Sequence, residues 1–190
     1  MNRTSALLLP MMMLLLLCVP ARAAAPPLPG DSVYQLDLAL SDQDGAQTRM
    51  ATLRGKVRIV SMFYASCPYI CPMIVETIKR TERALDDKQR ARLGVTLFTL
   101  DPERDTSEAL KQVAQERKLD EARWRLARTD PAAVRKLAAV LGIQYRQLEN
   151  REFNHSSALI LLDADGRVLA RSSKIGEPDA EFVAAVRKAL

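Results

Sequence analysis

Val57-Arg58-Ile59-Val60-Ser61-Met62-Phe63-Tyr64 runs straight into Ala65-Ser66-Cys67-Pro68-Tyr69-Ile70-Cys71-Pro72-Met73, and this junction decides how the chain folds. The first eight residues are rich in β-branched and aromatic types, which predicts a central strand over Val57–Tyr64. From Pro72 the apolar positions Ile74, Ile78 and Leu85 recur with charges between them, predicting a helix to about Asp87. Both cysteines therefore sit where a strand hands over to a helix. A helix N-terminus offers free N–H groups and partial positive charge, which favour thiolate over thiol. Prolines at 68 and 72 stiffen the turn and suit a helix's first residues.

Working outward, Val33–Leu40 alternates loosely, Asp42–Gly45 supplies turn residues, and a hairpin into Arg49–Leu53 follows. Val95–Leu100 reads as a second buried strand. Thr106 caps a helix running to Lys118, with Glu108 in its first turn. Asp130-Pro131 opens another helix, striped by Val134, Leu137, Ala138 and Leu141 and stopped by Gly142. Ser157–Leu162, the turn Asp163–Gly166 and Arg167–Ser172 make a final hairpin, and Glu177–Ala189 closes as an amphipathic helix. There is no internal repeat. This order predicts an α/β, thioredoxin-like fold: a mixed central sheet flanked by helices, with an N-terminal β-hairpin.

The 190 residues suit one ordinary domain, and 48% hydrophobic types spread along the chain exclude disordered and collagen-like classes. Asn2-Arg3, the apolar run from Ala6 to Val19 and the small residues Ala21-Arg22-Ala23 have the layout of a secretory signal peptide cleaved after Ala23. The rival reading is an uncleaved anchor that holds the domain at the inner membrane, facing the periplasm. The run is short for that, because a spanning helix needs about 20 apolar residues. Lipidation at Cys18 is disfavoured by bulky Leu17. Residues 24–30, rich in Ala and Pro, read as a semi-rigid spacer, leaving a domain over 31–190. The formal charge of +5 includes Arg3 and Arg22; without the leader, 26 basic residues face 23 acids, a net +3. Those charges alternate in sign, which argues against nucleic-acid binding.

Removing the leader also removes Cys18, so the mature chain carries Cys67, Cys71 and one histidine, His155. In an oxidising compartment two such thiols can be a disulfide, a redox pair or half of a metal site. Three intervening residues put the Cβ atoms roughly 5–6 Å apart if both are helical. An unstrained disulfide wants about 3.8 Å, so the spacing suits two thiolates closing on one ion. The bland alternatives are a structural disulfide, a satisfied polar His155 at a strand end, and Met73 and Trp124 as ordinary packing residues.

Three segments together resemble the SCO/SenC family of exported thioredoxin-like proteins associated with copper delivery to cytochrome c oxidase. They are Phe63 to Pro72; Asp101-Pro102-Glu103-Arg104-Asp105-Thr106; and Phe153-Asn154-His155-Ser156, followed by Leu162-Asp163-Ala164-Asp165-Gly166. The resemblance implies a copper site formed by Cys67, Cys71 and His155, with Cu(I) or Cu(II) as the ion. It also implies a copper-acceptor partner such as a cytochrome c oxidase subunit. Soft thiolates select Cu(I), and an added imidazole accommodates Cu(II). The chain departs from the family in carrying Tyr69 and Asn154 where acids are common. Asp105-Thr106 reads as a helix cap, and spacing alone gives Asp101 and Arg104 no part in the site.

Two functions share the cysteines. One is a copper chaperone, which is not an enzyme. The other is a thiol–disulfide oxidoreductase that uses Cys67 and Cys71 as its catalytic pair and a thiol reductant protein as its partner. Only the first needs His155. A thiol peroxidase shares the fold, but the Thr and Arg expected beside its cysteine are not evident near Cys67. The leader makes one prediction: mass spectrometry of the protein recovered from cells should find an N-terminus near Ala24 in the soluble exported fraction. An intact N-terminus in the membrane fraction would show an anchor instead.

Overall fold

The computed structural model describes residues 26–190, so the leader expected over 1–23 lies outside the described residues. Its strands are Ala39–Asp42 (β1), Gln47–Arg49 (β2), Arg58–Phe63 (β3), Gly94–Thr99 (β4), Trp124–Arg128 (β5), Tyr145–Gln147 (β6), Phe153–His155 (β7), Leu159–Leu162 (β8) and Val168–Ser172 (β9). Its helices are Ile70–Arg83 (α1), Asp87–Arg92 (α2), Ser107–Glu116 (α3), Pro131–Leu141 (α4) and Ala180–Ala189 (α5). Seven strands form one sheet in the order β2-β1-β5-β4-β3-β8-β9, and β6 pairs with β7 apart from it.

The burial of β3 and β4 explains the sheet. Every residue of both is buried, as expected for parallel strands covered on both faces. They pair in parallel from Arg58 opposite Gly94 to Phe63 opposite Thr99, and β5 extends the parallel set beyond β4. Strand β8 runs antiparallel to β3 on the other side. All three parallel strands therefore end at one edge, the edge where β3 releases the cysteine segment. The mixed α/β, thioredoxin-like architecture agrees with the sequence reading.

Several local expectations are corrected. The N-terminal hairpin is real but shorter, with Ala39 to Ser41 opposite Arg49 to Gln47. Val33–Gln35 and Met50–Leu53 are 3₁₀ turns instead of strand. Tertiary anchoring overrides their strand propensity: Val33 N–H donates to the Gly166 carbonyl at 2.9 Å, and Tyr34 is buried against Gly166. Gly166, at φ 85°, lies where a Cβ would come within 2.6 Å of the Tyr34 ring, so this turn requires glycine. The helix expected to reach Asp87 ends at Arg83, because Asp86 and Gln89 form a capping box that starts α2.

Strands β5, β6 and β7 were not foreseen. In β5, charged Arg125 and Arg128 interrupt the apolar pattern, yet Trp124, Leu126 and Ala127 are buried. Trp124 does meet a helix, its indole donating to Glu82 of α1 at 3.1 Å. Within the stretch read as a spacer, the C-terminal residues make contacts with the domain. Leu28 packs on the core, and Gln35 donates to the carbonyls of Leu28 at 3.1 Å and Pro29 at 3.2 Å. Other terminators behave as expected. Thr106 caps α3 by accepting from Ala109 N–H, Pro131 opens α4, and Gly142 closes it at φ 65°.

Leu97 of β4 is fully buried at the centre of the sheet. Leu97→Ala should cost about 3 kcal/mol through lost burial and a residual cavity. Urea denaturation should show a lower midpoint with an unchanged slope.

Candidate functional site

The head of α1 has an unusual cap. Tyr69 stands at the cap position and makes no side-chain cap bond. The acceptor is the Cys67 sulfur, which lies outside the helix and takes the Cys71 N–H at 3.4 Å. The picture of two helical cysteines one turn apart is therefore corrected: Cys67 precedes the helix and folds back over its first turn. Both cysteines are buried, and they are free thiols, not a disulfide.

The two thiols are driven apart electrostatically. Cys67 is held down to about 4, first by the Cys71 thiol donating to it, then by the N–H groups of Cys71 and Tyr69, against an opposing burial effect. Cys71 moves strongly the other way, because its proton is shared with Cys67 and because it is buried. Cys67 is thus the thiolate at neutral pH and Cys71 the protonated partner.

His155 arrives from β7, opposite Tyr145 of β6. It is the last residue of β7. Its Nδ1 lies 3.1 Å from the Ser156 carbonyl, which can only accept, so Nδ1 carries the proton. Nε2 is left with its lone pair and faces the Cys71 sulfur at 4.0 Å. The structure thus brings Cys67, Cys71 and His155 together. Metal–ligand bonds of about 2.3 Å to sulfur and about 2.0 Å to nitrogen are long enough to span this gap, so Cys71 and His155 can share one ion. Among the described residues no three His, Cys, Asp or Glu side chains stand close enough together to hold a metal ion as placed, so a three-ligand set requires Cys67, Cys71 and His155 to draw together. A cavity of about 40 Å³ beside the cysteines, walled by Val75 of α1 and by Val113 and Glu116 of α3, has room for a water; His155 does not line it.

Tyr64, at the end of β3, touches all of these parts. Its N–H donates to the Cys71 sulfur at 3.5 Å, and its hydroxyl donates to the Phe153 carbonyl at 3.4 Å. Its ring lies 5.3 Å from that of Phe153 and stands edge-on to His155 at 5.9 Å. The sequence reading used Tyr64 only as a strand residue. Its place three positions before Cys67 was the available signal.

The Asp101–Thr106 segment does more than cap a helix. Thr106 is the cap, whereas Asp105 is buried and accepts from Ala65 N–H at 3.0 Å and from the Thr99 hydroxyl. Burial pushes the Asp105 carboxyl up. Arg104 pairs with Asp101 and reaches across to the β6–β7 turn, donating to the Arg151 carbonyl at 2.7 Å, with Glu152 at 3.7 Å. One segment thereby holds both the cysteine turn and the hairpin carrying His155. Tyr69 is exposed, and Asn154 is exposed beside His155.

A family model described as SCO1/SenC matches residues 29–190. Protein SCO2 of Saccharomyces cerevisiae mitochondria is 32% identical over 73 residues, 38% of this chain and 24% of that protein. The chain spans well under half the length of the curated relatives it matches. ScoI of Bradyrhizobium japonicum, solved with copper bound, aligns with a TM-score of 0.67 at 23% identity, covering 81% of this chain and 98% of that one. BsSco, described as a member of the Sco family of cytochrome c oxidase assembly proteins with a disulfide switch, aligns at 0.66 and 21% identity, covering 81% and 94%.

The thiol asymmetry can be read directly. Alkylation of the reduced protein by iodoacetamide should modify Cys67 first, with a rate that is flat above about pH 5 and falls only towards pH 4. A rate still rising through pH 8, as for an ordinary thiol near 8.5, would show that Cys67 is not the stabilised thiolate.

Proposed function

The chain belongs to the SCO1/SenC family, and on that footing we propose that it binds one copper ion through Cys67, Cys71 and His155 and helps assemble the copper centre of cytochrome c oxidase. The observation that carries this reading is the Nε2 lone pair of His155 aimed at the Cys71 sulfur, with Cys67 already a thiolate. The names of the copper-bound ScoI neighbour and of the oxidase-assembly protein BsSco support it. Thiolate sulfur holds Cu(I), and the imidazole nitrogen extends the set to Cu(II). Cys71 must release its proton on binding, so loading should free a proton and weaken in acid. The leader would place this chemistry in the periplasm, where an acceptor subunit can take the ion.

A second reading follows from the thiol asymmetry. The Cys67 thiolate attacks a disulfide in a copper acceptor, forming a mixed disulfide and expelling one acceptor thiolate. Cys71 then gives up its proton and displaces the second acceptor thiol, leaving Cys67–Cys71 as a disulfide. Two electrons pass to the acceptor, and a thiol reductant protein must restore the pair.

Anaerobic titration of the reduced mature protein separates the two. One equivalent of Cu(I) or Cu(II) should bind to wild type, and Cys71→Ser should lose binding in both oxidation states. His155→Ala should weaken Cu(I) modestly and Cu(II) by at least about tenfold, while thiol–disulfide exchange persists. If His155→Ala bound Cu(II) like wild type while losing reductase activity, the ligand assignment would fall and the oxidoreductase reading would replace it.

A further inference from the structure

The parallel strands end at the cysteines and begin at a second site. Arg58, Gly94 and Trp124 are the first residues of β3, β4 and β5, and together they line a cavity of about 390 Å³ at the far edge of the sheet. Five cations line it: Arg54, Lys56, Arg58, Arg123 and Arg125. Three of these are already paired. Arg54 meets Asp165 at 2.7 Å, Arg123 meets Glu82 and Asp120, and Arg125 meets Asp42 at 2.5 Å. The two acids in the lining are also engaged, Asp42 by Arg125 and Glu121 by Lys111 at 2.8 Å.

Lys56 and Arg58 have no carboxylate partner among the described residues. Lys56 is exposed at the mouth, but Arg58 is only 9% exposed. Its guanidinium lies over Gly94, where an added Cβ would come within 2.8 Å of Nη1. Nη1 donates to the Thr96 hydroxyl at 2.9 Å, Nη2 has a long 3.5 Å contact with the Leu53 carbonyl, and Nε has no partner. The Tyr34 hydroxyl interacts with this group, but burial raises its pKa and keeps it neutral, so it supplies no counter-charge. A desolvated cation without a counter-charge is expensive, and burial accordingly pulls Arg58 below the usual arginine range.

We propose that this cavity binds a phosphate group, with Arg58 and Lys56 as its charged ligands. With Arg54, Arg123 and Arg125 already paired, Lys56 and Arg58 leave two uncompensated positive charges in the lining, which suits a doubly charged oxyanion better than a single carboxylate. Guanidinium groups match phosphate oxygens in a fork, and a lysine at the mouth adds a mobile point charge. The Thr48 and Thr52 side chains in the same lining add hydroxyl groups. The site lies at the opposite end of the sheet from Cys67, so it does not depend on the copper reading. A free phosphate or polyphosphate and the headgroup of an anionic lipid share this chemistry.

The chain's single tryptophan, Trp124, lines the cavity and reports on it. At constant ionic strength, inorganic phosphate and pyrophosphate should change Trp124 fluorescence saturably, and chloride should not. Lys56→Ala, an exposed change that leaves the fold intact, should weaken binding about tenfold, as expected for one charged hydrogen bond. Arg58→Met should abolish binding, and His155→Ala should leave it as in wild type. Sedimentation with phosphatidylglycerol vesicles, with phosphatidylcholine as control, distinguishes the sources. Binding to phosphatidylglycerol that pyrophosphate displaces assigns the lipid headgroup, and binding of the soluble anions alone assigns a free phosphate. The proposal is overturned if neither soluble anions nor anionic vesicles bind saturably. It is equally overturned if Lys56→Ala and Arg58→Met both bind like wild type, or if the response follows ionic strength instead of anion identity.

Discussion

A sulfur atom does the work of a capping oxygen at the start of α1, and the candidate metal site is organised around that substitution. The first turn of any helix has N–H groups with no intrahelical acceptor. In this chain Tyr69 contributes none from its side chain, and the Cys67 sulfur takes the Cys71 N–H. The same bond that completes the helix therefore stabilises a thiolate. It also fixes that thiolate beside Cys71, which the neighbouring Cys67 charge and burial keep protonated. Local folding and thiol chemistry are the same interaction here, and neither can be altered alone.

The remaining architecture brings a nitrogen donor to that pair. His155 lies on a short, polar hairpin outside the main sheet, which buries little of its own surface. Its position depends on contacts made by others. Tyr64 supports it from below, with the ring against Phe153 and the hydroxyl on the Phe153 carbonyl. Arg104 holds it from the side, through the Arg151 carbonyl and Glu152. Arg151 is in the left-handed region at φ 66°, an unfavourable conformation for a side-chain-bearing residue, which presents its carbonyl to Arg104. Asp105 completes the connection by holding the Ala65 N–H of the cysteine turn. The segment from Asp101 to Thr106 is thus a brace between the two halves of the site.

The sheet explains why one chain can hold two separate sites. Parallel strands β3, β4 and β5 have all their C-terminal ends on one edge and all their N-terminal ends on the other. Loops at the first edge carry the cysteines and the Asp101 brace. At the second edge, the start of β3 buries Arg58 among backbone and hydroxyl groups without an acid. Burial on both faces makes these strands rigid, so each edge is a fixed frame on which polar groups can be held.

Much of this was legible in the sequence. The apolar runs marked β3, β4 and β8, and the caps Thr106, Pro131 and Gly142 marked helix ends, because these signals are local. Cys67 and Cys71 were recognisable from their position between a strand and a helix, and His155 was the single histidine left after the leader. Strand β5 was not legible, since Arg125 breaks its apolar pattern and pairs with Asp42 far away in the chain, and β6 and β7 were not, since each is three residues long and mostly polar. The ionisation order of the two thiols, the tautomer of His155 and the roles of Tyr64, Arg104 and Asp105 were also hidden. The sequence by itself determined which atoms could bind a metal and which end of the strand carries them. Only the tertiary structure decided which sulfur is charged and which imidazole nitrogen faces Cys71, because hydrogen bonds and burial between distant segments set both.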